Sequence, residues 1–286
     1  MINDGTVSWR ELLAQAAARL DDQEARWLCE EVAGRSAGAF ALALHELATE
    51  REVARFDALL HRRAAGEPLQ YVLGSWAFRT LELMVDRRVL IPRPETEVVA
   101  GVALELLATL PTPARVADLG TGSGAIALAL VAERPLGSVE MWAGDISPEA
   151  LDVARANLAG LGRKGVAVRV VHGDWFAALP PDLVGTLHLV VANPPYIAID
   201  DPDVATEVRQ WEPAVALFAD DAGLAAYRII VAHATRWLAE GGWLVLEIGF
   251  RQAAAVTSLC ASAGLVDIAV RPDVAGHDRV VTARRP

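Results

Sequence analysis

A regular alternation of apolar runs and helical patterns, which begins near residue 114, constrains the fold of this chain more than any other feature. Long helical connections between buried strands are typical of parallel sheets with helices on both faces. A short link containing Pro272 and Gly276 joins the last two strands, so these two should pair antiparallel. We therefore predict a seven-stranded, mostly parallel, doubly wound α/β sheet. The candidate strands cover residues 115–119, 139–144, 166–171, 187–192, 243–248, 266–270 and 279–283, and the helical runs lie near 124–134, 148–161, 223–239 and 251–263.

The first 93 residues follow a different pattern. Ser8 and Glu11 form a capping box in front of a helix, and a longer helical run over 49–65 ends at Gly66. Alternating residues around Leu83, together with residues 76–79, predict a β-hairpin. We expect three parts, which are a helical domain over 1–66, a linker with the β-hairpin over 67–93, and a main domain over 94–286. The helical domain is either a partner-docking domain or a small helical cap, and the sequence does not separate the two.

Composition narrows the classes of function. The 286-residue chain carries a formal net charge of −11, which disfavours non-specific binding to nucleic acid because the phosphates repel it. No apolar run reaches the roughly 18–20 residues of a membrane span, and charged residues interrupt the N-terminus where a signal peptide needs an apolar stretch. Two cysteines and six histidines without ligand spacing predict neither a disulfide framework nor a metal site. We expect a cytoplasmic protein without metal or membrane partners.

A glycine-rich segment lies where the first predicted strand passes into a helix. Glycines there let the backbone approach a ligand closely, and free amides at the start of a helix bind a carboxylate or phosphate. Asp145 ends the next predicted strand, where an acidic side chain can accept hydrogen bonds from both ribose hydroxyls. The register of these features predicts a nucleotide site rather than a plain turn. The segment reads Asp118-Leu119-Gly120-Thr121-Gly122-Ser123-Gly124.

A second motif, Asn193-Pro194-Pro195-Tyr196, follows the fourth predicted strand. The prolines offer no N–H, so the motif presents two stiff acceptors, the Asn193 side-chain oxygen and the Pro194 carbonyl, beside the aromatic face of Tyr196. This pattern suits a conjugated amino group, whose nitrogen becomes more nucleophilic when both of its hydrogens are accepted. With a sulfonium methyl donor in the glycine site, we expect N-methylation by direct displacement, without a metal or a strong general base.

Other interpretations of the residues stay open at this point. Gly120-x-Gly122-x-x-Ala125 also satisfies the dinucleotide fingerprint, with Asp145 as its ribose acid, which is typical of NAD-linked dehydrogenases. The Asn-Pro-Pro-Tyr motif offers few hydrogen-bond donors. This argues against a dehydrogenase, because such an enzyme needs a proton donor near its substrate. The tetrapeptide after the fourth strand could also be an ordinary strand-ending turn.

Together the two motifs make the chain resemble a class I S-adenosylmethionine-dependent amino-methyltransferase. Further segments narrow this resemblance to the HemK/PrmC family, the peptide chain release factor glutamine methyltransferases, with similarity from about Gly66 to Val281. These segments are Leu90-Ile-Pro-Arg-Pro-Glu-Thr-Glu97, Gly173-Asp-Trp-Phe176, Leu246-Glu-Ile-Gly249 and Ala275-Gly-His-Asp-Arg-Val-Val281.

The resemblance implies a Rossmann-like fold and N5-methylation of the glutamine in the Gly-Gly-Gln motif of class I release factors, a step in translation termination. The cofactor would be S-adenosyl-L-methionine and the product S-adenosyl-L-homocysteine. Residues 120–124 would line the methionine end of the cofactor, Asp145 would hold its ribose, and Trp175 would lie along its adenine. The substrate amide would bind to Asn193, which also borders the cofactor, and to the Pro194 carbonyl, with Pro195 and Tyr196 beside it.

Three segments depart from the family pattern, namely Trp211-Glu-Pro213, Phe218-Ala-Asp-Asp-Ala-Gly223 and Phe250-Arg-Gln252. We expect them to lie on loops and a helix start away from the two motifs, where they leave open the details of the 197–222 loop. Separately, Glu95 and Glu97 either cap a helix or contact the cofactor or substrate. Methylation of an exocyclic amine on a nucleic-acid base, which also uses Asn-Pro-Pro-Tyr, is the alternative within the methyltransferases. The net charge of −11 and the lack of a basic recognition segment argue against it.

Overall fold

The computed structural model describes residues 7–286. They form two compact units, one ending at Gly74 and the other running from Ser75 to Pro286. The smaller unit is mainly helical. Its elements are β1 (Val7–Ser8), α1 (Trp9–Ala17), α2 (Asp22–Ala33), α3 (Ala37–Leu42), β2 (Leu47–Ala48), α4 (Glu50–Ala64) and α5 (Leu69–Leu73).

Side-chain caps define where three helices of the smaller unit, α1, α2 and α4, begin. The predicted capping box at Ser8 and Glu11 is confirmed, because the Ser8 side chain accepts from the Glu11 amide while Glu11 binds the Ser8 amide. A second capping box, formed by Thr49 and Glu52, starts α4. The apolar faces of these helices share one core.

Residues 67–73, which the sequence assigns to a linker, pack with the helical unit. They contain α5, and Val72 belongs to the core of that unit. The Arg62 guanidinium donates to the carbonyls of Tyr71 and Val72 at 2.9 and 3.4 Å. These bonds tie α5 to the end of α4.

The predicted β-hairpin is confirmed and belongs to the larger unit. It consists of β3 (Ser75–Phe78) and β4 (Leu81–Met84), which pair antiparallel. Arg79 adopts a left-handed backbone in the turn, with φ of 52°. Its amide donates to Glu97 at 2.8 Å, and its guanidinium binds Glu133. The hairpin is thereby fixed to the helix that follows it.

The predicted seven-stranded, mostly parallel, doubly wound sheet is confirmed. Its spatial order is β12-β13-β11-β8-β5-β6-β7, and only β13 runs antiparallel to its neighbours. The strand order reverses at β5 and β8, which lie side by side in the middle of the sheet. The strands are β5 (Ala114–Leu119), β6 (Val139–Asp145), β7 (Val168–His172), β8 (Leu187–Ala192), β11 (Leu238–Glu247), β12 (Val266–Pro272) and β13 (Asp278–Arg284).

Helices cover both faces of the sheet over two separate apolar cores. One core takes residues from α6 and α7, and the other takes residues from α12 and α13. Within residues 7–286, no helix is both long enough and apolar enough to cross a membrane. The helices of the larger unit are α6 (Pro94–Leu107), α7 (Ala125–Glu133), α8 (Pro148–Ala159), α9 (Thr206–Trp211), α10 (Ala214–Leu217), α11 (Asp220–Gly223), α12 (Ala225–Trp237) and α13 (Ala253–Ser262).

Some predicted boundaries were wrong for local reasons. The third sheet strand starts at Val168 rather than at residue 166, because Gly162–Ala167 form a 3₁₀ helix. The fifth starts at Leu238, and α12 ends at Trp237 rather than near 239. An irregularity between Leu238 and Trp243 interrupts its pairing with β8. Residues 197–222 contain α9, α10, part of α11, and the parallel pair β9 (Ile197–Ala198) and β10 (Phe218–Ala219).

Candidate active site

The segments predicted to form the site begin side by side at one edge of the sheet. Leu119 pairs with both Gly144 and Ala192, and Ala192 pairs in turn with Leu246. The residues that follow these four positions are Gly120, Asp145, Asn193 and Glu247. The sheet register thus brings both predicted motifs, with Glu247, to the carboxyl ends of adjacent strands at the reversal of strand order, where α/β folds bind ligands.

The glycine segment needs residues that lack a side chain. Gly120 has φ of 78°, and a Cβ there would lie 3.4 Å from the Trp175 ring. Gly122 has φ of 56°, and a Cβ there would meet no atom within 4 Å. Such positive φ values strain residues that carry a Cβ. The segment therefore leaves open space above Gly122, with the Trp175 ring packed against Gly120.

Asp145 lies at the predicted position and also orders the glycine segment. Its carboxylate accepts from the amides of Gly122 at 2.8 Å and Ser147 at 2.9 Å. Each carboxylate oxygen has two lone pairs, so acceptor capacity remains for hydroxyls of a ligand. The side chain is half-buried and lines the first cavity.

A second acidic residue of the glycine segment, Asp118, is fully buried beneath it. One carboxylate oxygen accepts from the Thr121 hydroxyl at 2.6 Å and the Ala127 amide at 3.2 Å. The other has no hydrogen-bond partner among residues 7–286. Burial, with a smaller contribution from nearby Asp145, raises the pKa of Asp118 to about 7.

The first cavity encloses about 360 Å³, a size typical of small-molecule sites. All the predicted cofactor residues line it except Gly124, which is the N-cap residue of α7. Trp175 lies on a tight turn, with φ of 46°, after Gly173. A Cβ on Gly173 would lie 2.7 Å from the backbone of Ala178, so the turn can close only around glycine. The predicted residues on its wall are Gly120, Thr121, Gly122, Ser123, Asp145, Trp175 and Asn193.

A second cavity of about 380 Å³ adjoins the first. Leu90, Asn193 and Ala216 line both. Pro195 lines only the first and Tyr196 only the second, while Pro194 is buried and lines neither. The Asn-Pro-Pro-Tyr segment therefore lies where the two cavities meet, and Asn193 reaches both.

A chain of hydrogen bonds holds the Asn193 side chain. Its Nδ2 donates to Thr96 Oγ1 at 3.2 Å, and Thr96 Oγ1 donates to Glu247 Oε2 at 2.7 Å. The other oxygen of Glu247 accepts from the Tyr196 hydroxyl at 3.4 Å. Burial of the Tyr196 hydroxyl and the nearby Glu247 raise the pKa of Tyr196. One buried carboxyl therefore contacts both ends of the motif, directly or through Thr96.

The backbone of Tyr196 is fixed by residues from two of the segments that depart from the family pattern. Gln252 donates to the Tyr196 carbonyl at 3.0 Å and accepts from the Gly249 amide at 3.0 Å. Gly223, with φ of 84°, packs so closely that a Cβ would lie 2.1 Å from the same carbonyl. The expectation that the departures from the family pattern lie away from the motifs was therefore wrong for 218–223 and 250–252, which pack against Tyr196.

Three side chains near the site have roles that were not predicted from the sequence. Thr96 and Glu247 form the chain described above. Glu212 is nearly fully buried, accepts from the Ile91 amide at 3.0 Å and pairs with Arg93. The sequence carried a signal for Glu212 and Glu247, because both carboxylates stand in otherwise apolar surroundings. A charge in such surroundings needs partners. Among residues 7–286, no group of three or more His, Cys, Asp or Glu side chains could hold a metal ion.

Comparisons with known proteins agree with this architecture. The model of the PrmC N-terminal domain matches residues 7–74, and that of the methyltransferase small domain matches residues 96–214. A solved methyltransferase from Pyrococcus furiosus superposes with a TM-score of 0.51 at 17% identity, covering 82% of this chain and 97% of that one. That likeness shows the fold.

Curated relatives match over nearly the whole chain. The release factor glutamine methyltransferase of Burkholderia pseudomallei (strain K96243) is 43% identical over 273 residues, which are 94% of each chain. That of Deinococcus radiodurans is 40% identical over 284 residues, or 96% of this chain and 98% of the relative. With these identities over these lengths, the chain belongs to the release factor glutamine methyltransferase family.

Proposed function

We propose that this protein transfers a methyl group from S-adenosyl-L-methionine to the side-chain amide nitrogen of the glutamine in the Gly-Gly-Gln motif of class I release factors. The observation that carries the proposal is that Asn193 lines both cavities. A methyl donor in the first cavity and a glutamine amide in the second would meet at the Asn193 side chain. Membership of the family supports the choice of partner. A cytoplasmic location belongs to the proposal, since that is where release factors act.

The first cavity fits the proposed cofactor. The left-handed glycines give close backbone approach, and Asp145 retains acceptor capacity for ribose hydroxyls. Trp175 offers a flat wall for adenine, and Thr121 and Ser123 also line the cavity. When bound, the cofactor supplies a methyl group on a positively charged sulfur, which is a strong electrophile.

The residues of the Asn-Pro-Pro-Tyr segment make the amide nitrogen of the substrate more nucleophilic. An amide nitrogen reacts poorly because its lone pair is delocalised into the carbonyl. We assign Oδ1 of Asn193, the residue that lies where the cavities meet, as the acceptor for one of the amide hydrogens. Pro194 lines neither cavity, so its carbonyl is assigned as the second acceptor from the sequence motif and the family resemblance alone. Acceptance of both hydrogens favours a pyramidal nitrogen with a localised lone pair. Tyr196 packs beside the amide from the second cavity. Displacement forms the new N–C bond as the C–S bond breaks, and the nitrogen then releases one proton to solvent, so positioning supplies most of the rate enhancement.

The two units have different proposed tasks. The larger performs the transfer, and the smaller docks the release factor. The division into 1–66, 67–93 and 94–286 remains a prediction, although residues 67–73 pack with the helices of the smaller unit.

A transfer assay tests the proposed function. Purified protein, isotopically labelled S-adenosylmethionine and a purified class I release factor should yield labelled release factor. The matched control is the same factor with Gln→Ala in its Gly-Gly-Gln loop, which should receive no label. Label in the control, or no label in either, would contradict the proposal. Label in nucleic acid but not in protein would favour the base methyltransferase, and tight binding of NADH without binding of S-adenosylmethionine would favour the dehydrogenase.

A further inference from the structure

The Asn193 side chain has two chemically different ends that are nearly equal in shape. Only Oδ1 can accept a hydrogen from a substrate amide, whereas Nδ2 would present a donor to a donor. Shape alone does not select the productive orientation, so the choice depends on the partner of the end that faces the protein. In the structure that partner is Thr96 Oγ1, which accepts from Nδ2 at 3.2 Å.

The Thr96 hydroxyl has one hydrogen, and its hydrogen bond to Glu247 uses that hydrogen. Thr96 Oγ1 donates to Glu247 Oε2 at 2.7 Å, so only its lone pairs remain for Asn193. A lone pair can bind Nδ2 but not Oδ1. The direction of the chain from Asn193 through Thr96 to Glu247 therefore follows from a carboxylate at its end.

We propose that Glu247, acting through Thr96, is a positioning residue that keeps Oδ1 of Asn193 facing the junction of the two cavities. This inference rests on the proposed function, because the orientation of Asn193 matters only if its oxygen binds an amide. Glu247 accepts from the Tyr196 hydroxyl at 3.4 Å, so the same carboxylate also restrains the aromatic residue of the motif. Neither Thr96 nor Glu247 needs to touch the reacting atoms.

The surroundings of Glu247 make its charge sensitive to pH. The side chain is fully buried, and burial raises its pKa to about 7 against the lowering effects of the Thr96 hydrogen bond and Arg279. The nearby charge of Glu95 on α6 also raises the pKa of Glu247. Tyr227 on α12 donates to the Glu247 backbone carbonyl at 3.0 Å. The groups that face it thus come from α6, α12, β13 and the Asn-Pro-Pro-Tyr segment.

Protonation of Glu247 would reverse the chain. A carboxylic acid can donate to Thr96, whose hydroxyl is then free to donate to Asn193. The amide would turn to offer Oδ1 to Thr96, leaving Nδ2 toward the substrate. The maximal rate should therefore rise with pH as Glu247 ionises, with no matching change in cofactor affinity.

A pair of Thr96 variants tests the positioning role. Thr96→Val keeps the shape but removes the hydroxyl, and Thr96→Ser keeps the hydroxyl. With a class I release factor and saturating S-adenosylmethionine, Thr96→Val should lower kcat by roughly tenfold to a hundredfold. KM for the release factor and Kd for the cofactor should stay within about threefold. Thr96→Ser should stay within about threefold of the unaltered protein in all three quantities. A kcat for Thr96→Val within threefold of the unaltered protein, or equal defects in both variants, would overturn the inference.

The pH profile of kcat supplies a second test that does not depend on how the Thr96 variants fold. The unaltered protein should show a rise in kcat between about pH 6 and 8, and Glu247→Gln, which cannot ionise, should lose this rise. The matched control is Asp118→Asn at saturating S-adenosylmethionine, which removes a second buried carboxyl at this sheet edge; whatever its absolute kcat, the rise with pH should remain. An unchanged profile in Glu247→Gln would refute the inference. Absence of transfer by the unaltered protein would instead refute the proposed function.

Discussion

The two halves of the candidate site are built in different ways. The cofactor side depends on shorter sequence separations, because Asp118 binds Thr121 three residues away and the Asp145 carboxylate binds Gly122 across 23 residues. The substrate side depends on distant parts of the chain. Asn193 binds a threonine 97 residues earlier, and that threonine binds a carboxyl 151 residues later.

Substitutions in the two halves should therefore affect different properties of the site. A change in the glycine segment alters the cavity wall directly and should be felt as a change in cofactor affinity. Substitutions in α6, α11 or β11 can disturb the position of Asn193 or Tyr196 without any change in the motif itself. We therefore expect the substrate side to be the more sensitive half in its effect on rate.

The largest effect should come from Asn193→Ala. The substitution removes the acceptor for the substrate amide, and loss of one positioned hydrogen-bonding group of this type costs about 10²–10³-fold in kcat. Kd for S-adenosylmethionine should change by less than about threefold, because the cofactor is held chiefly by the glycine side. Rapid-quench transfer assays and calorimetry would measure the two quantities. A cofactor Kd that rises as much as kcat falls would contradict the separation of the two halves.

The same contrast explains what could be predicted from the sequence. The strands, the hairpin and the edge on which both motifs lie follow from hydrophobic periodicity and from glycines and prolines at strand ends. The sequence indicates Thr96 only as a member of a family segment, and Glu247 only as a carboxylate in apolar surroundings. Their meeting depends on α6 packing against the end of β11, a long-range contact that no local pattern encodes. Gly223 is similar, since its need for open space is set by Tyr196 in another segment.

Stability offers a way to test the long-range packing of the Asn-Pro-Pro-Tyr segment. Gly223→Ala would place a Cβ 2.1 Å from the Tyr196 carbonyl oxygen, at φ of 84°. The matched control is Gly276→Ala, whose φ is 86° but whose Cβ would meet no atom within 4 Å. Both variants carry the backbone cost of about 1 kcal/mol, and Gly223→Ala should cost at least about 2 kcal/mol more. Urea denaturation measures the difference, and equal losses of free energy of unfolding would show that the turn relaxes freely.

Each half of the site also contains a buried carboxyl whose pKa is raised, and these two groups provide a pH test of stability. Burial raises the pKa of Glu247 from 4.5 to about 7, which corresponds to roughly 3 kcal/mol. Because the folded pKa is the higher one, the stabilising contribution is complete below about pH 4.5 and is lost as the pH rises through about 7. Glu247→Gln should therefore lose roughly 3 kcal/mol less of its free energy of unfolding between pH 4.5 and 8 than the unaltered protein.

Asp118 is the counterpart of Glu247 on the cofactor side, and burial raises its pKa to about 7 as well. Asp118→Asn should flatten the same pH dependence of stability. Denaturant titrations at pH 4.5, 6 and 8 on both variants would measure the two contributions separately. Slopes identical to that of the unaltered protein would show that neither carboxyl resists ionisation in the folded state.

The smallest expected effect, and the sharpest contrast with Asn193→Ala, comes from Asp145→Ala. Loss of one charge-assisted acceptor for the ribose should raise the Kd for S-adenosylmethionine by about tenfold. Because Asp145 also holds the Gly122 amide at 2.8 Å, the glycine segment loses a restraint, which acts in the same direction. At saturating cofactor, kcat should stay within about threefold, since the Asn193 chain does not pass through Asp145. Calorimetry and saturation kinetics on the two variants form a crossed test, in which each variant changes the quantity that the other leaves nearly unchanged. If Asp145→Ala lowered kcat at saturation as much as Asn193→Ala does, the cofactor side would be positioning the reacting atoms too, and the site would have to be treated as one coupled unit.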